Sequence, residues 1–168
     1  MRAAWGRTAA VVLAPVVAGV VGAFAWSRLA EPPVWTVADG QLEMGEAAMA
    51  AEFGVAVDFA LVGAVGGLLL GLLLAATARR AAWPLVPMAL AGGAAAALVA
   101  WQLGVVWGPG DPSEAAGLAV GDTVPDRLAV GAPAAFFAWP IATVAGLLPG
   151  VMVNPRAREQ AREAALSA

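Results

Sequence analysis

Four stretches of this chain, 8–27, 59–78, 83–107 and 134–153, are strongly apolar and carry no charged side chain. Each is about 20 residues or more, enough for a helix to cross roughly 30 Å of hydrocarbon. Composition agrees. Hydrophobic residues make up 61% of the 168 and charged ones 12%, with a mean hydropathy of +0.81. A soluble domain carries about twice that charge. The expected fold class is therefore an all-α membrane protein. A single four-transmembrane-helix bundle would span residues 1–168, with outer loops at 28–58 and 108–133.

Arginine placement gives the direction. Arg2 and Arg7 precede the first span, Arg79 and Arg80 fill the turn between the second and third, and Arg156, Arg158 and Arg162 follow the fourth. Against Glu159 and Glu163 this side has a net charge of +5, whereas the other side sets Arg28 and Arg127 against ten acids for a net of −8. Basic residues near span ends stay cytoplasmic, so both termini are expected in the cytoplasm and the protein in the cell membrane. Tryptophan supports the frame: Trp5 and Trp83 fall at inner ends and Trp26 and Trp107 at outer ends, as in an aromatic belt. Trp101 and Trp139 lie deeper. The segment ending in Ala23-Phe24-Ala25 also fits a cleavable leader with a small-x-small site. The length of the apolar run favours a retained span.

Within the spans, Gly63, Gly67 and Gly71 share one helix face, and the third span offers Gly92, Ala96, Ala100 and Gly104. Small residues let helix backbones approach where lipid gives no hydrophobic drive to associate. With a turn as short as the one at Arg79–Arg80, the two rows are expected to face each other, a homo-oligomer seam being the alternative. Pro15 and Pro140 are expected to bend the first and fourth spans, and Pro149 to bend or end the fourth.

The outer loops hold most of the polar residues. Val34 to Val37 is rich in strand formers, Asp39-Gly40 favours a tight hairpin turn, and Gln41 to Met44 suits a return strand. From Gly45 to Phe53 the spacing turns helical, with Met49 and Phe53 placed to rest on the outer leaflet or the bundle. In the second loop Gly108-Pro109-Gly110-Asp111-Pro112 is a rigid turn cluster. Leu118 to Val120 and Leu128 to Val130 are expected as short strands, so a small sheet joining both loops is the expected cap.

Chemistry-bearing residues are scarce. There is no Cys, His, Lys or Tyr, which removes disulfides, thiolate metal sites, histidine triads and lysine phosphate clamps. Ser113 has no base to activate it. Asp39, Glu43 and Glu46, or Asp122 and Asp126, could collect Ca²⁺ by charge, but their spacing matches no calcium loop. No catalytic residue, cofactor or metal site is expected, and nucleic-acid binding has no support. One polar pair stands near the membrane, Asp58 at the outer mouth of the second span and Gln102 in the outer part of the third. Asp58 is expected to cap the second span, with a shallow polar site at Asp58 and Gln102 as the alternative. The tail from Asn154 to Ala168 reads as a short helix with a weak attraction for anionic head groups.

Short motifs carry a resemblance. They are Val37-Ala38-Asp39-Gly40, Ala56-Val57-Asp58-Phe59, Trp101-Gln102-Leu103-Gly104 leading to Gly108-Pro109-Gly110, Gly121-Asp122 leading to Pro125-Asp126-Arg127-Leu128, and Ala138-Trp139-Pro140. Over about residues 10–150 the chain resembles an uncharacterised family of actinobacterial four-span membrane proteins, a domain of unknown function. The resemblance implies the plasma membrane of an actinobacterium and supplies no activity. The expected function is that of a non-enzymatic accessory or scaffold of the cell envelope, whose partners are the bilayer and other envelope membrane proteins. The rival readings are a small transporter or channel component using Asp58 and Gln102, and an envelope enzyme using loop carboxylates.

Overall fold

The computed structural model describes residues 2–38, 41–43, 45–77, 85–114 and 117–152. Four helices dominate: α1 (Arg2–Leu29), α2 (Glu46–Thr77), α3 (Leu85–Trp107) and α4 (Ala138–Met152). Three helical segments, Val12–Leu29, Glu46–Ala76 and Leu85–Glu114, are long and apolar enough to cross a membrane; a fourth, Pro133–Pro149, is apolar but shorter. The turn at Arg79–Arg80, Trp83, the Asp39-Gly40 turn and the tail from Asn154 lie outside the described residues, as does the side chain of Trp5.

The helices form a ring in which α1 touches α2 and α3, and α4 touches α2 and α3. The heaviest seams are α2 with α4 and α1 with α3, whereas α2 and α3 face each other across a diagonal and barely touch. The expectation that the glycine row of α2 meets the small residues of α3 is therefore wrong. That row meets α4, and the reason is Trp139. Its indole lies flat on Gly63 and Gly66, and only residues without a β-carbon leave room for it. One turn deeper, a β-carbon on Gly71 would stand 2.9 Å from the Cα of Gly146 on α4. Backbone meets backbone there, and close packing takes over the role that water expulsion plays in a soluble core. On α3, Gly92 accommodates Pro15 of α1, and Gly104 accommodates the ring of Trp26.

Four element boundaries differ from expectation. The helical stretch at 45–53 and the second span are one helix of 32 residues, about 48 Å long. No proline interrupts 46–77, and extending a formed helix costs far less than nucleating one. α1 likewise runs beyond 8–27 at both ends. The fourth segment opens as a tight 3-10 turn, Pro133–Phe137, before α4. Pro140 thus sits in the first turn of α4, where a missing N–H costs nothing, and is not a mid-helix bend; Pro149 does lie inside the helix. Trp26 is not a belt residue. It is fully buried, and its indole Nε1 donates to Val55 O at 3.0 Å.

A three-stranded antiparallel sheet caps one end, in the order β2 (Gln41–Glu43), β1 (Val34–Ala38), β3 (Thr123–Pro125). Thr36 pairs with Glu43 on one side and with Thr123 on the other, so both loops enter one sheet. The strands expected at 118–120 and 128–130 are not strands. Val120 and Gly121 form a turn, Gly121 at φ 95°, and Leu128 leaves the sheet to bury itself against Gly108. The gain from burying a leucine, about 1.5–3 kcal/mol, exceeds what a marginal edge strand would return.

Candidate functional site

Beneath the sheet the bundle is closed by aromatic rings. Phe59 stacks edge-on with Trp26 at 5.0 Å between centroids and tilts against Phe136 at 5.0 Å and Trp139 at 6.2 Å, while Trp101 meets Phe136 at 5.8 Å. Each such pair adds about 0.5–1.5 kcal/mol beyond area burial. The interior continues in Leu70, Leu74, Leu147 and the alanines of α3. Thr143 is the one buried polar residue other than tryptophan among those described, and its hydroxyl donates back to Trp139 O at 2.8 Å within α4. The Nε1 groups of Trp139 and Trp35 are buried without a hydrogen-bond partner. Nothing else polar is set into the described core.

Three loop aspartates accept hydrogen bonds from nearby residues of the second loop. Asp111 accepts from Ser113 N at 2.9 Å and from Ser113 Oγ at 2.6 Å. The Ser113 hydroxyl bond, then the Ser113 backbone bond, with a smaller contribution from Arg127, hold its carboxyl below the usual carboxylate range. Asp122 accepts from Ala119 N at 2.9 Å, and Asp126 from Arg127 N at 2.7 Å. Backbone bonds stitch the same region: Val37 N donates to Asp122 O, Gly121 N to Val37 O, and Asp126 N to Pro33 O. Among the described residues no three acidic side chains gather as a metal would require. The Ser113 hydroxyl is bonded to a carboxylate that itself braces a turn.

A groove of about 720 Å³, open to the exterior, lies between α1 and α2. One wall is Ala14, Val17, Ala18, Val21 and Gly22, and the other runs from Leu61 through Val65 and Leu69 to Leu73. Asp58 is the single charged residue on its lining. Asp58 stands twelve residues inside α2, so it cannot cap that helix, and the capping role is withdrawn. It is half-buried and has no hydrogen-bond or ion-pair partner among the described residues. Gln102 is exposed on α3 and does not line the groove with Asp58, so the structure does not gather the two into one site.

The groove wall on α1 has a faint signal in the sequence, the row Ala14, Ala18, Gly22 and Ala25, spaced as closely as the glycines of α2 but made mostly of alanine. No family model, curated protein or solved structure matches this chain.

Proposed function

We propose that this is a four-span plasma-membrane protein with both termini in the cytoplasm. It serves as a non-enzymatic accessory or scaffold whose outer surface is the sheet built from both loops. Arginine distribution supports the orientation, and the resemblance to actinobacterial four-span proteins supports the location. α4 with its preceding turn supplies the fourth crossing, the stretch 133–152 being about the length a span requires.

The observation that carries the scaffold reading is the contrast between an apolar described interior and a tied outer layer. A carrier or channel needs polar groups reaching mid-membrane. The described core offers aromatic rings, small residues and one threonine bonded to its own helix. The outer loops, by contrast, are fixed by strand pairing and by three turn-bracing aspartates, as a recognition surface requires.

Photocrosslinking tests this reading. A crosslinking side chain at exposed Val120, in the outer layer, should yield discrete protein adducts in cells. The same group at exposed Ile141, on α4, should yield lipid adducts only. Purified protein in vesicles should pass no more ions than empty vesicles. Clear conductance with no Val120 adduct would favour the channel reading instead.

A further inference from the structure

We infer that the α1–α2 groove is the seat of a second copy of this chain, docked side by side through α1. The inference rests on the four-span orientation proposed above.

The groove is what remains where α1 and α2 splay, and two features fit it to a helix of the same sequence. First, the α1 wall sets the small residues Ala14, Ala18 and Ala25 behind a rim of Val17 and Val21, with Gly22 already covered by Trp139, so another α1 can seat its own valines against it. Membrane orientation is shared by all copies, so two α1 helices related by a twofold axis along the membrane normal run parallel, and equal depths meet. Second, the charges complement at equal depth. Trp26 Nε1 reaches Val55 O, and the Trp26 ring abuts Phe59, which sets the α1 residues around 26 level with the α2 residues around 58. Arg28 therefore stands within about one helical turn, roughly 5 Å, of the height of Asp58.

Arg28 follows Val21 by seven residues and Val17 by eleven, and both line the groove, so it rises on the groove's outer rim. It is exposed, and its described contact is the face of Phe24, 4.9 Å from the ring centroid. Asp58 is the only charge on the groove's lining and has no ion partner among the described residues of the copy. In the parallel pair, Arg28 of each copy meets Asp58 of the other, which gives two symmetric ion pairs at the membrane boundary. The α2 glycine row cannot serve as the seam instead, because α4 already covers it. A phospholipid would fill the same trough and offer its phosphate to Arg28, but would set that anion close to Asp58 and leave the carboxylate without a cation, and a foreign helix would need its own cation at this one depth.

The test uses the full chain in lipid nanodiscs and in native membranes, and the absence of native cysteine makes single-cysteine crosslinking clean. Val21→Cys should crosslink to a dimer in good yield, and Ile141→Cys should not. Mass measurement of the unmodified protein should give two copies. Arg28→Asp and Asp58→Arg should each reduce the dimer at least tenfold, and the double exchange should restore it. That restoration also shows that the single variants fold. A monomer carrying bound phospholipid, equal crosslinking at both cysteines, or single reversals without effect would overturn the inference. So would a double exchange that fails to restore the pair. Adducts from Val120 with a monomeric protein would leave the scaffold reading standing and remove this one.

Discussion

The two faces of α2 make a comparison. Toward α4 it presents Gly63, Gly67 and Gly71, and the facing helix fills that face to backbone contact. Toward α1 it presents Leu61, Val65, Leu69 and Leu73, and a trough remains. The same helix is closed on one side and open on the other, although α1 is about as rich in small residues as α4. The difference lies in where the large rings are set. Trp139 needs a glycine-floored slot, and α2 supplies it, so packing is specified there by shape. α1 is held to α2 at one end, where Trp26 packs on Phe59 and donates to Val55 O, but beyond Gly22 small residues face branched and leucine side chains and the contact stays partial. Small residues permit close approach, but what they meet decides whether it occurs.

The largest effect should come from emptying the closed side. Trp139→Ala should lower stability by roughly 3–5 kcal/mol, measured by thermal denaturation in detergent. Trp139→Phe should cost less than Ala, since it keeps the ring and removes the unbonded donor. Overfilling comes next. Gly67→Leu and Gly71→Leu press a side chain onto the α4 backbone and should cost about 1–3 kcal/mol or more. On the open side Ala18→Leu should fit within about 0.5 kcal/mol. Equal losses at Gly71 and Ala18 would erase the distinction between the two faces.

Asp58 gives a smaller and sharper prediction. Lying mid-helix, it should tolerate Ala as well as Asn, with monomer stability changing by less than about 0.7 kcal/mol, because Ala is the better helix former. A marked loss for Ala alone would reinstate a capping role. The smallest effect belongs to the sheet end of the molecule. Ser113→Ala should let the Asp111 carboxyl rise toward the ordinary range, as read by carbon NMR titration. Because the folded value is depressed, the contribution of Asp111 is complete above the ordinary carboxylate range and fades as pH falls through the folded value. The serine variant should lack that acid-side loss.

Much of this was legible from the residues. The apolar blocks marked the helices, and Val34 to Val37 before Asp39-Gly40 marked β1 and β2, because helix length and strand propensity are local properties. The seams were not legible. A glycine row announces that something comes close, but only Trp139, about seventy residues downstream, determines which helix it is. Asp58 was misplaced because hydropathy drops at 46–57 while helicity does not; the chain's greasiness and its hydrogen-bonding pattern end at different residues. The strand at Thr123–Pro125 was missed because Leu128 answers to the core beneath the sheet, a long-range demand. The groove escaped for the same reason as the seams, since it is defined by what α1 and α2 fail to fill.

Everything above about depth and partnership depends on the sheet end facing outward. The direct measurement is labelling of two single-cysteine variants in intact cells with a membrane-impermeant thiol reagent. Ser113→Cys, in the exposed 3-10 turn after α3, should label fully without permeabilisation, and Ser167→Cys, in the tail, only after it. The reverse pattern, with Ser113→Cys protected until the membrane is opened, would contradict the account.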